Sequence, residues 1–135
     1  MKQNTTLKST LRFIAIVQFV LGLSFLLAPQ FTSRAMGLAT APEWTDWLFG
    51  MMAARFLGFG YGMLLAARNP WEGRHWIKVM IGIQAIDWSV TLVYLLRGSV
   101  SLMQVSTASF LPVIFVLILW LNYPRAGGKQ PQVAA

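Results

Sequence analysis

The chain lacks cysteine and contains only four acidic residues and one histidine in 135 residues. Without cysteine it forms no disulfide, no thiol redox centre and no thiolate metal site. A single histidine, His75, rules out bis-histidine haem ligation within the chain and a histidine-rich metal centre. The serines and threonines of the later apolar stretches have no histidine base near them in the sequence, so packing and backbone hydrogen bonding are expected of them. We therefore expect no catalytic residue and no metal ligand.

Charge is scarce throughout, at 11% of residues, whereas 56% are hydrophobic. The apolar residues form four long stretches, and at a rise of 1.5 Å per residue each is long enough to cross a hydrocarbon layer of about 30 Å. We predict an all-α polytopic membrane protein, a bundle of four transmembrane helices. The predicted domain covers residues 1–123, with spans at 11–28, 47–67, 76–96 and 100–123 and a polar tail at 124–135.

The net charge of +7 comes from basic residues at the ends of the apolar stretches. Lys and Arg concentrate in cytoplasmic flanks, so both termini and the middle break are predicted to face the cytoplasm, in an inner membrane. No basic face suited to nucleic acid is present. One side holds Lys2, Lys8, Arg12, Arg68, Arg74, Lys78, Arg125 and Lys129, and the other holds only Arg34 and Arg97.

The N-terminal segment resembles a secretory signal, because basic residues precede an apolar run and residues 39–41 read Ala-Thr-Ala. The run is long enough to span a membrane, so we interpret it as the first transmembrane helix.

The breaks between the spans differ in length. The middle break is expected to be a tight turn in which Pro70 ends the second helix, with Trp71 and Trp76 at the headgroup level. The third, around 97–99, is expected to be a minimal hairpin. The first, 29–46, is longer and contains Phe31 and Trp44, which favours a short segment on the outer membrane surface.

Small residues recur at every fourth position of the second span, where residues four apart share a face. Such a stripe lets another helix approach closely, so we predict a packing face that serves either an internal neighbour or a second chain. The glycines at 58, 60 and 62 lie inside an apolar span with no preceding strand, which argues against a phosphate-binding loop. The stripe consists of Gly50, Ala54, Gly58, Gly62 and Ala66.

Two charges lie inside the spans, Arg55 in the second and Asp87 in the third, each about 12 to 14 Å below the predicted outer boundary. Gln18 and Ser109 lie at a similar depth in the first and fourth spans. Gln84 precedes Asp87 by three residues on the same helix face. The five residues are predicted to form one polar layer.

A charge at this depth is costly and normally pairs inside the protein. One interpretation is a structural clasp, an Arg55–Asp87 ion pair supported by the neighbouring polar groups. Another is a pocket for a small ligand, a lipid or a quinone. A third is a minimal dimeric transporter, although no second intramembrane carboxylate is present to form a relay. Pro112 is expected to bend the fourth helix and free carbonyls near Ala108 to bond Arg55 or water. Trp88, beside Asp87, is expected to face lipid or a partner chain.

Several short motifs resemble those of the DoxX-like small four-helix membrane proteins: Ala54-Arg55-Phe56-Leu57-Gly58, Leu27-Ala28-Pro29 and Asp87. The resemblance implies a four-helix fold and, for some members, association with quinone-reducing membrane oxidoreductase complexes. No catalytic residue is implied by it.

Together these observations predict a non-catalytic accessory or assembly subunit of a larger membrane complex, respiratory or otherwise electron-transferring. The rival function is a protein that binds a small ligand, lipid or quinone in the Arg55 and Asp87 layer. No intrinsic cofactor is expected beyond such a quinone or lipid. The expected partners are the bilayer and other membrane subunits or a second copy, and not nucleic acid.

Overall fold

The structure, a computed structural model, describes residues 2–124, with side chains from residue 5 onward. Within these residues the chain is all-helical, as predicted. The expected tail, with its Arg125 and Lys129, lies outside the described residues except for Pro124. The helices are α1 (Lys2–Leu27), α2 (Pro29–Ala35), α3 (Thr45–Arg68), α4 (Arg74–Leu96) and α5 (Ser106–Leu121).

Three of these helices, α1, α3 and α4, are long and apolar enough to cross a membrane. The fourth apolar stretch is helical over only 16 residues, which corresponds to about 24 Å. Its predicted start near residue 100 is wrong, because residues 101–105 form turns in which the backbone N–H of Ser101 donates to Oε1 of Gln104 at 2.8 Å. The connection between α4 and α5 is therefore longer than a minimal hairpin.

The most extensive helix contact joins α1 to α3 in antiparallel orientation. Two glycines allow this close approach. A Cβ added at Gly60 would lie 3.3 Å from the Ala15 carbonyl oxygen, and one at Gly22 would lie 2.9 Å from the Leu57 side chain. Because glycine has no side chain, the two helix backbones can approach closely at these positions. Membrane helices gain packing contacts in this way in the absence of a hydrophobic driving force.

The buried core lies at one end of the molecule. It is formed by the N-terminal parts of α1 and α4 and the C-terminal parts of α3 and α5. Five of the eight Lys and Arg residues between positions 5 and 124 lie at this same end, which we call the basic end. Its fully buried large side chains include Leu11, Ile14, Met63, Ile77, Met80 and Leu119. Its basic residues are Lys8, Arg12, Arg68, Arg74 and Lys78.

The turn between α3 and α4 at the basic end is tightly built, as predicted. Oδ1 of Asn69 accepts hydrogen bonds from the backbone N–H groups of Trp71 and Glu72 at 3.2 and 3.4 Å. Pro70 is buried directly after the α3 cap at Asn69. The guanidinium of Arg74 lies 4.7 Å from the Trp71 ring centroid, a cation–π distance. These contacts fix where α4 begins relative to α3.

At the opposite end, α2 occupies the first break, where a short surface segment was predicted. Gly37 and Gly98 follow α2 and α4 with φ of +75° and +69°, a conformation that glycine adopts without steric cost. Nε2 of Gln104 donates to the Gly37 carbonyl at 2.8 Å, so the connection after α2 touches the connection between α4 and α5. The α4–α5 pair, which is also antiparallel, is thereby tied to the α1–α3 pair at this end.

Candidate functional site

Two close contacts between α3 and the start of α4 lie near the basic end. A Cβ added at Gly62 would overlap the Trp76 indole ring, and one at Gly73 would overlap the Ala66 backbone. Both contacts therefore require glycine. They set an antiparallel register in which Gly62 lies level with Trp76.

Beyond this contact the facing sides of the two helices are exposed. Arg55 and Leu48 lie seven and fourteen residues before Gly62 and therefore share its face of α3. In the same way, Asp87 lies seven residues after the buried Met80 and shares its face of α4. Each of the three is exposed. Side chains of packed helices would cover one another at these positions, so α3 and α4 separate here. We call this region the α3–α4 groove; it comprises Leu48, Met51 and Arg55 on α3 and Asp87, Val90 and Tyr94 on α4.

The predicted ion pair between Arg55 and Asp87 is not formed. No salt bridge with an N···O distance within 4.0 Å occurs in the part of the chain that the structure describes. Nη1 of Arg55 instead donates to the carbonyl of Met51, one turn back on its own helix, at 3.3 Å. Depth predicts the level of a residue but not whether two helices lie close enough for their side chains to meet, and here the two charges do not meet.

The register also gives the relative heights of the two charges. Arg55 lies seven residues from Gly62, and Asp87 lies eleven residues from Trp76. The difference of four residues corresponds to roughly 6 Å along the helices. Asp87 is therefore about one turn farther from the basic end than Arg55.

The remaining members of the predicted polar layer are buried and do not join the charges. Gln18, Gln84 and Ser109 are 5%, 7% and 8% exposed. Nε2 of Gln84 donates to the Met80 sulfur at 3.5 Å, a weak interaction, and the Ser109 hydroxyl donates to the Val105 carbonyl. Oε1 of Gln18 accepts no hydrogen bond from the described residues. The predicted layer is thus divided into exposed charges and a buried uncharged part.

Trp88 ties α4 to α5 next to Asp87. Its indole N–H donates to the Ser109 carbonyl at 3.1 Å, although its ring is also 37% exposed. Pro112 is buried within α5, which runs through it without a break. The Ser109 carbonyl thus accepts its hydrogen bond from Trp88, whereas Arg55 donates to the Met51 carbonyl on its own helix. Of the two expected donors to the α5 backbone, Arg55 and water, Arg55 is therefore wrong.

The small-residue stripe of α3 serves an internal neighbour only in part. Gly62 and Ala66 contact α4, as the internal interpretation predicted. Gly50 and Gly58 have no heavy atom within 4 Å of a built Cβ, and Ala54 is exposed. Residues four apart drift by about 40° around a helix. With distance from the basic end, the stripe therefore turns away from α4. Its residues Gly50, Ala54 and Gly58 lie along the edge of α3 that borders the groove, which we call the outer edge of α3.

The close packing between α1 and α3 involves two glycines that the sequence pattern did not identify as contact residues, Gly22 and Gly60. A usable signal was present on α3, where Ala53, Gly60 and Ala67 recur every seven residues and so share one face. All three are buried.

An apolar cavity of about 410 Å³, open to the protein surface, lies between α4 and α5, on the side of α4 away from the groove. Its lining includes Trp88, Leu92, Ser109, Phe110 and Val113. No group of three or more metal-ligating side chains occurs among residues 5–124.

The chain matches no protein-family model, no curated protein sequence and no solved structure. The resemblance to DoxX-like proteins stays a prediction from short motifs.

Proposed function

We propose that this protein is a non-catalytic accessory or assembly subunit that holds another membrane-spanning segment in its α3–α4 groove. The observation that carries the proposal is the exposure of two opposite charges, Arg55 and Asp87, midway along separated apolar helices. The DoxX-like motifs favour an electron-transfer complex as the larger assembly.

The cost of placing charge in hydrocarbon supports association. On insertion scales a single Arg or Asp at the centre of a membrane helix costs about 2.5 to 3.5 kcal/mol. In this chain two such residues have no charged partner among residues 5–124. A partner that brings an opposite charge or hydrogen-bonding groups to each would recover part of that cost, so the groove favours association over an isolated chain.

The proposed topology places the basic end in the cytoplasm and α5 as a fourth span. Supporting it, the antiparallel helices bring Lys8, Arg12, Arg68, Arg74 and Lys78 to one end, and such residues concentrate in cytoplasmic flanks. A helix of about 24 Å is accommodated by local thinning of the bilayer or by flanking residues that reach the interface.

Cross-linking in native membranes tests the proposed function. The cysteine-free chain allows one photoactivatable label at Met51→Cys in the groove and, as a matched control, one at Leu117→Cys, which is 54% exposed on α5. We expect the groove label to give a discrete protein adduct and the control label to give lipid adducts. Lipid adducts alone from both positions would overturn the proposal.

Ligand binding is the second candidate, and the cavity between α4 and α5 favours it. The cavity has a volume of about 410 Å³ and is lined almost entirely by apolar atoms. It therefore suits a long apolar chain, such as the acyl chain of a lipid or the isoprenoid chain of a quinone. Val113→Trp would fill this cavity, whereas Val20→Trp changes an exposed position on α1. Lipid or quinone that co-purifies with the Val20 variant and is lost from the Val113 variant would support this candidate; equal retention would exclude it.

A further inference from the structure

We propose that the segment occupying the α3–α4 groove is a second copy of this chain, joined by two reciprocal ion pairs between Arg55 of one protomer and Asp87 of the other. This inference rests on the proposed function and specifies its partner. The groove carries one charge of each sign, so the same surface supplies both halves of each pair. A self-complementary surface of this kind is what a two-fold dimer requires.

The geometry of a two-fold axis fits the placement of the charges. Helices α3 and α4 form the two sides of the groove, and their facing sides carry Arg55 and Asp87 respectively. If a second protomer is rotated by 180° about an axis parallel to the helices, its α4 comes to lie opposite α3 of the first protomer. The converse contact forms on the other side of the axis. Each Arg55 then faces an Asp87, and neither charge meets its own kind.

The height difference between the charges is compatible with these pairs. An axis along the membrane normal preserves the level of every residue, so the two members of each pair differ by about one helical turn, roughly 6 Å. The Arg55 side chain is long and exposed, with one short contact, to Met51. It can extend along the groove, and a guanidinium forms well-oriented bonds to a carboxylate.

The outer edge of α3 also permits close approach of a second chain. Gly50 and Gly58 have open space where a Cβ would lie, and Ala54 beside them is exposed. These residues leave the edge without large side chains, next to Arg55. Small residues at this edge allow the second protomer to pack closely against α3, next to the proposed ion pairs.

The decisive experiment mixes two charge-reversed variants of the full chain, Arg55→Asp and Asp87→Arg, in phosphatidylethanolamine and phosphatidylglycerol vesicles. Each variant carries a fluorophore on a cysteine introduced at Ser99, and association is measured by energy transfer. Alone, each variant would bring two like-charged pairs together in the dimer. Mixed, they would restore two attractive pairs, because both charges of the first variant's groove are negative and both charges of the second variant's groove are positive.

We expect the wild-type chain to dimerise and each variant alone to dimerise at least about tenfold more weakly, a change equal to about 1.4 kcal/mol. The mixture is expected to recover association close to that of the wild type. A chain carrying both reversals should also dimerise.

Three results would overturn the inference: a monomeric wild type, unimpaired single variants, or recovery by the double reversal without recovery on mixing. The last result would show that the charges pair within one chain, since mixing cannot repair an intramolecular contact. If the reversed variants fail to fold, Arg55→Gln mixed with Asp87→Asn replaces them. That heterodimer keeps one ion pair, whereas each homodimer keeps none, so stronger association on mixing is expected and its absence contradicts the inference.

The native-membrane cross-linking separates this inference from the proposed function. An adduct of twice the chain mass from the groove label agrees with both. An adduct with a different membrane protein, together with a monomeric chain in vesicles, would refute the second copy and leave the assembly function standing.

Discussion

The indole ring of Trp76 lies directly on Gly62, leaving no room for a side chain there. This contact is followed along α3 by exposed positions on the same face. Arg55 lies about 10 Å beyond it, seven residues along α3, on the same face. The Gly62–Trp76 contact therefore marks where the packed basic end gives way to the groove.

Gly62→Ala should destabilise the protein, because the new methyl group would overlap the Trp76 ring and force α3 and α4 apart. Overpacking of this kind costs about 1 to 3 kcal/mol. Unfolding in mixed micelles with increasing dodecyl sulfate measures the effect. Gly58→Ala is the matched control, since its Cβ meets nothing within 4 Å. Equal stabilities of the two variants would contradict the contact.

Gly22→Val should weaken the α1–α3 pair, because its side chain would press on Leu57 and on the Ala53 carbonyl, which lies 3.2 Å from a built Cβ. We expect a loss of about 1 to 3 kcal/mol in the same unfolding measurement. Gly50→Val places the same side chain on α3 where nothing lies within 4 Å. A larger loss from the Gly50 variant would show that the α1–α3 interface is misplaced.

Asp87→Asn should leave the stability of the isolated monomer unchanged, within about 0.5 kcal/mol, or raise it. The reason is that the carboxylate has no charged partner among residues 5–124, so neutralising it breaks no ion pair. Unfolding is measured at high detergent-to-protein ratio, where the chain is monomeric, with Arg55→Gln alongside. A loss of about 3 to 5 kcal/mol would instead indicate a broken buried ion pair within the chain.

The orientation of the chain can be read from two single cysteines. Glu72→Cys lies in the turn at the basic end, and Ser99→Cys lies in the connection at the opposite end; both positions are exposed. In intact spheroplasts a membrane-impermeant maleimide should label Ser99→Cys, and it should label Glu72→Cys only after lysis. The reverse pattern would show that the basic end faces outward, against the charge bias.

Much of the fold could be predicted from the sequence because each signal was local. The apolar stretches gave α1, α3 and α4, and Pro70 marked the turn between the last two. The start of α5 was missed because Val100, Leu102 and Met103 are apolar although residues 101–105 form turns held by Ser101 and Gln104. Hydropathy does not distinguish an apolar turn from the first turn of a helix.

The site was predicted less completely, because it depends on the separation of helices. The sequence identified Arg55 and Asp87 and placed them at similar depth, and this led to a predicted contact. Depth follows from counting residues, whereas the gap follows from where Gly62 and Gly73 allow close packing and where larger side chains end it. That information lies in the three-dimensional arrangement of the contacts.

The central claim is that α3 and α4 diverge beyond Gly62, and spin-label distances test it most directly. Two double-cysteine variants, Gly58→Cys with Val79→Cys and Met51→Cys with Val90→Cys, place labels on corresponding exposed edges of the two helices, near the contact and in the groove. Dilution with excess unlabelled chain ensures that each distance is measured within one protomer. Divergence predicts a clearly longer distance for the groove pair, and equal distances for the two pairs would contradict it.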